Sequence, residues 1–156
     1  MIKPKLILDL DGVLITTATW KADEIDSDGY SKFNTTCVSN LNRLLKTKKF
    51  DIVLSSTRRT VKSLDDFNEI FMFRQINSPI TEFLPNYKNC RNRKEEIECY
   101  IQEVDIKDFL IIDDDKSLND ANQFIKDRLI QTELLKGFNT DKLKEAINVI
   151  SNCFSE

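Results

Sequence analysis

Histidine is absent from the chain. Its absence excludes Ser-His-Asp and Cys-His catalysis, histidine-ligated zinc and a histidine general base, so proton transfer must run on carboxylates, lysine or tyrosine. The 4 cysteines, Cys37, Cys90, Cys99 and Cys153, include no C-x-x-C pair. Nothing else indicates an oxidising compartment, and the thiols are expected to be reduced and to pack as ordinary buried residues. No apolar run approaches the roughly 20 residues needed to span a bilayer, and Asp9 and Asp11 interrupt the only early apolar stretch, so neither a membrane helix nor a signal peptide is expected. The expected location is cytoplasmic. Internal repeats, low-complexity tracts and interdomain linkers are lacking too.

What is present suits a folded domain. The 156 residues are 40% hydrophobic and 31% charged, which is enough for one core and too little for two domains of ordinary size, so residues 1-156 are expected to form a single domain. A net charge of −3 argues against an extended nucleic-acid-binding surface and leaves room for a local basic patch around a phosphate.

Short apolar runs bounded by charge predict buried strands at Lys5–Leu10, Asp51–Ser55 and Asp108–Ile112, with a fourth at Arg128–Thr132. Helical stripes lie between them: Val38, Leu41, Leu44 and Leu45; Leu64, Phe67, Ile70 and Phe71; Ile97, Tyr100, Ile101 and Val104. A last helix is predicted from about Thr140, a residue suited to N-capping, along Leu143, Ala146, Ile147 and Ile150. The alternation predicts an α/β fold on a mostly parallel sheet. Residues 15–36, with Trp20 and the Asp28-Gly29 turn, and residues 77–92, with Pro79 and Pro85, are predicted to be loops or small flaps over a site.

Ligands of parallel α/β sheets bind beyond the carboxyl ends of the strands. Those ends read Asp9-Leu10-Asp11-Gly12, Ser55-Ser56-Thr57-Arg58 and Asp113-Asp114-Asp115. Two aspartates at one strand end can simply cap a turn. Several carboxylates brought together repel one another unless a hard cation sits among them, and Mg²⁺ prefers oxygen ligands. Gly12 can take a positive φ and bring backbone close to a ligand.

These residues resemble the haloacid-dehalogenase-like (HAD) phosphohydrolase superfamily. Its first motif, hhhhDxDGxh, stands here as Leu6-Ile7-Leu8-Asp9-Leu10-Asp11-Gly12-Val13-Leu14; a hydroxyl closing a hydrophobic strand matches Ile52–Arg58, a cation opening a helix matches Arg93-Lys94-Glu95-Glu96-Ile97, and an acidic pair matches Leu110–Asp114. All four arrive in family order. The R-x-R-K-E-E-I run and the later R-L-I-Q-T segment look like the small HAD domains of Swiss Army Knife RNA-repair proteins and, more distantly, the phosphatase module of polynucleotide kinase-phosphatases. The resemblance implies a three-layer α/β/α Rossmann-like sandwich without a large cap domain, and a Mg²⁺-dependent phosphatase acting on a phosphorylated small molecule, nucleotide or nucleic-acid end; from the lack of a long apolar run, no membrane partner is expected.

By the same resemblance Asp9 is the nucleophile and Asp11 the general acid-base, while Asp9, the Asp11 backbone carbonyl and Asp113 hold Mg²⁺, with Asp114 as an outer ligand. Ser56 matches the S/T-x-R form of the second motif, and Ser55 fits by a one-residue slip. Ser55, Thr57 and Arg58 fall on the phosphate side, although Arg58 could equally start a solvated helix. Arg93 suits the repair-associated group as the third-motif cation, and Lys94 suits the polynucleotide phosphatases. Arg91 is a further phosphate contact for a nucleic-acid end. Asp115 fits a helix-start carboxylate, and Trp20 either stacks on a base or anchors its own loop. A receiver-type phosphoacceptor would need its aspartate to close a middle strand, which here ends in serines. The alternative kept open is a non-catalytic or regulatory phosphate- or nucleic-acid-binding module on the same fold.

Overall fold

The structure is a computed structural model that describes residues 2–155. Five strands, β1 (Lys5–Leu8), β2 (Asp51–Leu54), β3 (Ile80–Phe83), β4 (Phe109–Asp113) and β5 (Leu129–Gln131), form one all-parallel sheet in the order β3-β2-β1-β4-β5. The helices are α1 (Thr35–Thr47), α2 (Leu64–Phe73), α3 (Arg93–Val104), the one-turn α4 (Gln123–Lys126) and α5 (Thr140–Cys153).

Strand periodicity sorts the core into two layers. Leu6, Leu8, Ile52, Leu54, Leu110 and Ile112 face α1, α2 and α5, where Leu41, Leu44, Phe67, Phe71, Leu143 and Ala146 meet them. The alternate residues Ile7, Val53, Phe109 and Ile111 face Ile97, Tyr100 and Ile101 of α3 and Ile125 of α4. The chain therefore forms the α/β fold expected of its pattern, as the three-layer sandwich that the resemblance implies, with no large cap domain among the described residues. None of the described helices is long and apolar enough to cross a membrane.

Helix starts are capped by side chains that satisfy otherwise orphaned N–H groups. Asn34, Asn92 and Asn139 accept from Cys37, Glu95 and Lys142 N–H, and Ser63 forms a reciprocal box with Asp66. Asn139 thus takes the capping place predicted for Thr140, which is the first helical residue. Asp115 does cap, at the start of a 3₁₀ turn over Lys116–Asp120. All four cysteines are free; Cys37 is buried, and Cys90, Cys99 and Cys153 are only partly covered, so burial holds for one of the four.

The structure departs from the predicted loop over residues 77–92 by placing β3 inside it. This strand is short, lies at the sheet edge and follows Pro79, with Thr81 exposed and Glu82 and Phe83 half-buried. A run this brief carries no period long enough to separate it from its loop, and proline is tolerated beside an edge strand. The β4–β5 crossover also holds the 3₁₀ turn and α4, both too short to leave a helical stripe.

The turn after β1 is pinned from the far side of the sheet. Val13, Leu14 and Ile15 N–H all bond to Leu10 O, Thr132 Oγ1 donates to Gly12 O at 2.6 Å, and Phe138 N–H donates to Val13 O at 2.9 Å. Gly137 sits against this turn with φ +58°, and a Cβ there would lie 2.5 Å from Val13 O and 2.7 Å from Thr16 Cγ2. Gly137→Ala should therefore lower stability by at least about 2 kcal/mol, from left-handed strain and overpacking together. A melting temperature equal to that of the wild type contradicts this packing.

Candidate active site

The path of the chain selects the place. β1, β2 and β3 build outwards in one direction, and the chain then returns to add β4 and β5 on the other side of β1. The order reverses between β1 and β4, the crevice where ligands of open α/β sheets bind. Leu8 pairs with Leu54 and Ile112, so the next residue of each strand, Asp9, Ser55 and Asp113, stands in one row. Asp9 N–H donates to Ile112 O and Ser55 N–H to Leu8 O, which carries the ladder one step past Leu8. The three residues share the parity of Ile7, Val53 and Ile111, so they belong to the α3 side of the sheet.

Arg93, the first residue of α3, meets them there. Its Nη1 lies 2.6 Å from Asp113 Oδ2, 3.4 Å from Ser55 Oγ and 3.8 Å from Asp9 Oδ2. Arg93, Asp9, Ser55 and Asp113 are all buried. Asp113 is held at both oxygens, because Oδ1 also accepts from Asp115 N–H at 3.0 Å. Glu96 lies 3.5 Å from Arg93 and accepts from Arg59 at 2.9 Å, while Arg59 donates onward to the carbonyls of Ser55, Ser56 and Leu84. Arg59 and Glu96 were not picked out from the sequence. Their signal, charge at positions that must be buried, appears only once the helix and strand are docked.

Asp9, Asp113 and Asp114 each offer a carboxylate oxygen, all within 4.8 Å of one another. Burial raises the pKa of Asp9 well above the carboxylate range, Asp113 adds to the rise, and Arg93 opposes it. Burial likewise raises Asp113 against the pull of Arg93, and burial followed by the Asp113 charge pushes Asp114 up to about 6. Desolvation disfavours the charged Arg93, but Asp113 and Asp9 outweigh it and hold the guanidinium above its ordinary pKa. One guanidinium does not neutralise three clustered carboxylates, and the donors are all oxygen, which is the set a hard divalent cation such as Mg²⁺ takes. Among the described residues no other residue donates to the Asp114 side chain, and the Asp11 carbonyl accepts no protein hydrogen bond. Asp114 is also packed onto Gly12, whose φ is +78° and where a Cβ would fall 2.1 Å from Asp114 Oδ2.

Asp11 has a different setting. Arg58 grips it with a two-point fork, Nε to Oδ2 and Nη2 to Oδ1, both at 2.8 Å. Nη2 also donates to Asp23 Oδ2 at 2.9 Å, and Nη1 to Tyr30 Oη at 3.3 Å and Ser31 Oγ at 3.2 Å. All five guanidinium N–H donors are thereby used within the protein, so Arg58 neither starts a solvated helix nor keeps a donor free for phosphate. The predicted flap over residues 15–36 supplies Asp23, Tyr30 and Ser31. It carries no regular element before α1; its local structure is an Asp11–Ile15 bridge, an Ile25–Ser31 bridge and turns at Ala18–Lys21 and Gly29. Arg74, just past α2, holds its other end through Asp26, Asp28 and the carbonyls of Tyr30 and Ser31.

The remaining predicted residues divide clearly. Ser55 Oγ lies on Arg93, whereas Ser56 Oγ caps a second 3₁₀ turn, Thr57–Thr60, by accepting from Arg58 N–H at 3.2 Å. Lys94 points away to Glu98 at 3.8 Å, and Arg91 makes an exposed pair with Glu95. Thr57 is exposed at the start of the turn. Trp20 does not anchor its loop: it is 78% exposed on the rim of an open cleft of about 640 Å³ that Leu135 and Lys21 also line.

Residues 5–143 match the family described as the HAD domain in Swiss Army Knife RNA repair proteins. None of the curated proteins compared with the chain matches it significantly. The match spans all five strands and every residue of the row at their ends, and the chain belongs to this family of HAD domains.

Proposed function

We propose that the protein is a Mg²⁺-dependent phosphoric monoester hydrolase that works through an aspartyl-phosphate on Asp9, with a phosphorylated nucleotide or polynucleotide end as substrate. The observation that carries this reading is the buried row of Asp9, Ser55 and Asp113 met by Arg93 at the switch point of the sheet. An Asp9 carboxylate oxygen attacks phosphorus, the ester oxygen leaves with a proton from Asp11, and Asp11 then takes a proton from the water that cleaves the acyl phosphate. Arg93 and the Ser55 hydroxyl are the donors beside Asp9 for the phosphoryl oxygens. Asp9, Asp113, Asp114 and the Asp11 carbonyl would hold Mg²⁺, with Asp114 the carboxylate that has no competing donor. Bound there, the ion neutralises phosphate charge. The substrate class is supported by the family's association with RNA repair and by a site without a large cap, which admits bulky ends.

Asp9→Asn should abolish steady-state turnover, since no acyl phosphate can form. Asp11→Asn should lower it by roughly 10²- to 10⁴-fold and leave phosphoenzyme detectable by mass spectrometry after incubation with an activated ester. Near-normal turnover in Asp9→Asn assigns the attack to a water instead.

A carboxyl with a raised folded pKa contributes stability that is complete below its unfolded pKa and lost as pH rises through the folded one. For Asp114 that window runs from its ordinary 3.8 to about 6. In chelator, Asp114→Asn should therefore melt higher than wild type at pH 7, with the difference vanishing towards pH 4. Mg²⁺ at 100 times its Kd should stabilise wild type by about 2.7 kcal/mol and Asp114→Asn far less. A wild-type melting curve indifferent to Mg²⁺ at pH 7 removes the metal from this site.

A further inference from the structure

We propose that Asp23, on the flap, is a positioning residue for the acid-base carboxylate: it fixes Arg58, and Arg58 fixes Asp11. The proposal rests on the acid-base role assigned to Asp11 above. It comes from the geometry of one guanidinium. Nη2 of Arg58 is shared between Asp11 Oδ1 at 2.8 Å and Asp23 Oδ2 at 2.9 Å, so the two carboxylates flank the same nitrogen. Asp23 is fixed in turn by Ser31, whose hydroxyl donates to the same Oδ2 at 2.7 Å, and Ser31 Oγ itself accepts from Nη1 of Arg58. Guanidinium, carboxylate and hydroxyl close a ring that leaves Arg58 one orientation, with Tyr30 beneath it at 5.6 Å from its ring centre.

Without this ring, Arg58 would be a long side chain on the short turn Thr57–Thr60, oriented only by Asp11 and the longer 3.3 Å contact to Tyr30 Oη. Asp11 itself stands on the irregular turn after β1, and its side chain is about half exposed, so packing alone does not aim it. When one oxygen of Asp11 turns to the leaving group, Nη2 keeps Asp23 and the fork stays in place for the oxygen to return. The two ends of the flap then have separate jobs. The Asp26–Asp28 end holds the loop to α2 through Arg74, and the Asp23 end transmits the loop's position to the reacting proton. Hydrogen bonds from Ser31 and then Arg58 hold the Asp23 pKa below the usual carboxylate range, in keeping with an anion in the ring.

The test compares p-nitrophenyl phosphate, whose leaving group needs little proton transfer, with phenyl phosphate, whose leaving group needs more, in Mg²⁺. kcat/KM covers only the steps up to phosphoenzyme formation, so the ratio of the two values reads the donation step. In Asp23→Ala this ratio should rise by about tenfold or more, through a fall for phenyl phosphate, as expected when a proton donor is misplaced. Asp23→Asn keeps an acceptor oxygen and should lie between it and wild type. Asp28→Ala loosens the other end of the flap and should leave the ratio unchanged. An unchanged ratio in Asp23→Ala, beside an Asp11→Asn variant that does raise it, overturns the proposal and leaves the phosphatase reading intact. An equal rise in Asp28→Ala also overturns it, because general loosening of the flap then explains the effect. Wild-type protein inert towards both esters overturns the phosphatase reading itself, and the proposal with it.

Discussion

The contact between Arg93 and Asp113 is the one on which the site depends. A guanidinium and a carboxylate 2.6 Å apart, both out of water, are stable only because each satisfies the other, and breaking a buried pair by removing one partner typically costs about 3–5 kcal/mol. The pair also ties the first turn of α3 to the last residue of β4. Through Glu96 and Arg59 the connection runs on to the carbonyls that end β2 and to Leu84 just beyond β3. Four strands and one helix thus converge on a small buried polar network, and the position of Asp9 follows from it.

Arg58 and Arg93 show how the same side chain serves opposite ends. Arg93 is buried, lies against two carboxylates of the row and retains an Nε without a hydrogen-bond acceptor. Arg58 is partly exposed and has every donor occupied by Asp11 and the flap. Arg93 therefore acts as a fixed charge beside Asp9, and Arg58 as a bracket around the carboxylate of Asp11. Lys94, next in sequence to Arg93, has neither place because one step along a helix turns a side chain by about 100°.

Much of this was legible in the sequence. The strands carrying Asp9, Ser55 and Asp113 are continuous apolar runs, which only a doubly covered parallel sheet can bury, and their polar ends pointed to the carboxyl edge. The choice between Ser55 and Ser56 could have been made from the same runs. Asp9, Ser55 and Asp113 each follow an apolar residue of the α1 face, and alternation sends all three to the α3 side, whereas Ser56 has the opposite parity. What the sequence did not show were contacts between residues distant in the chain. The Arg58 fork spans 47 residues to Asp11 and 35 to Asp23, and no local pattern encodes a bond of that reach. β3 was hidden for the opposite reason, being too short and too exposed to show a period.

The row at the strand ends also acts as a check on assembly. Its members occupy neighbouring places on three hydrogen-bonded strands, so a strand that slips by one residue sends its row residue to the opposite face of the sheet, and a slip in one direction brings Leu8, Leu54 or Ile112 into the crevice in its place. The same slip turns Leu and Ile out of one packed layer and into the other. An error in pairing thus disturbs the packed layers and the polar row together.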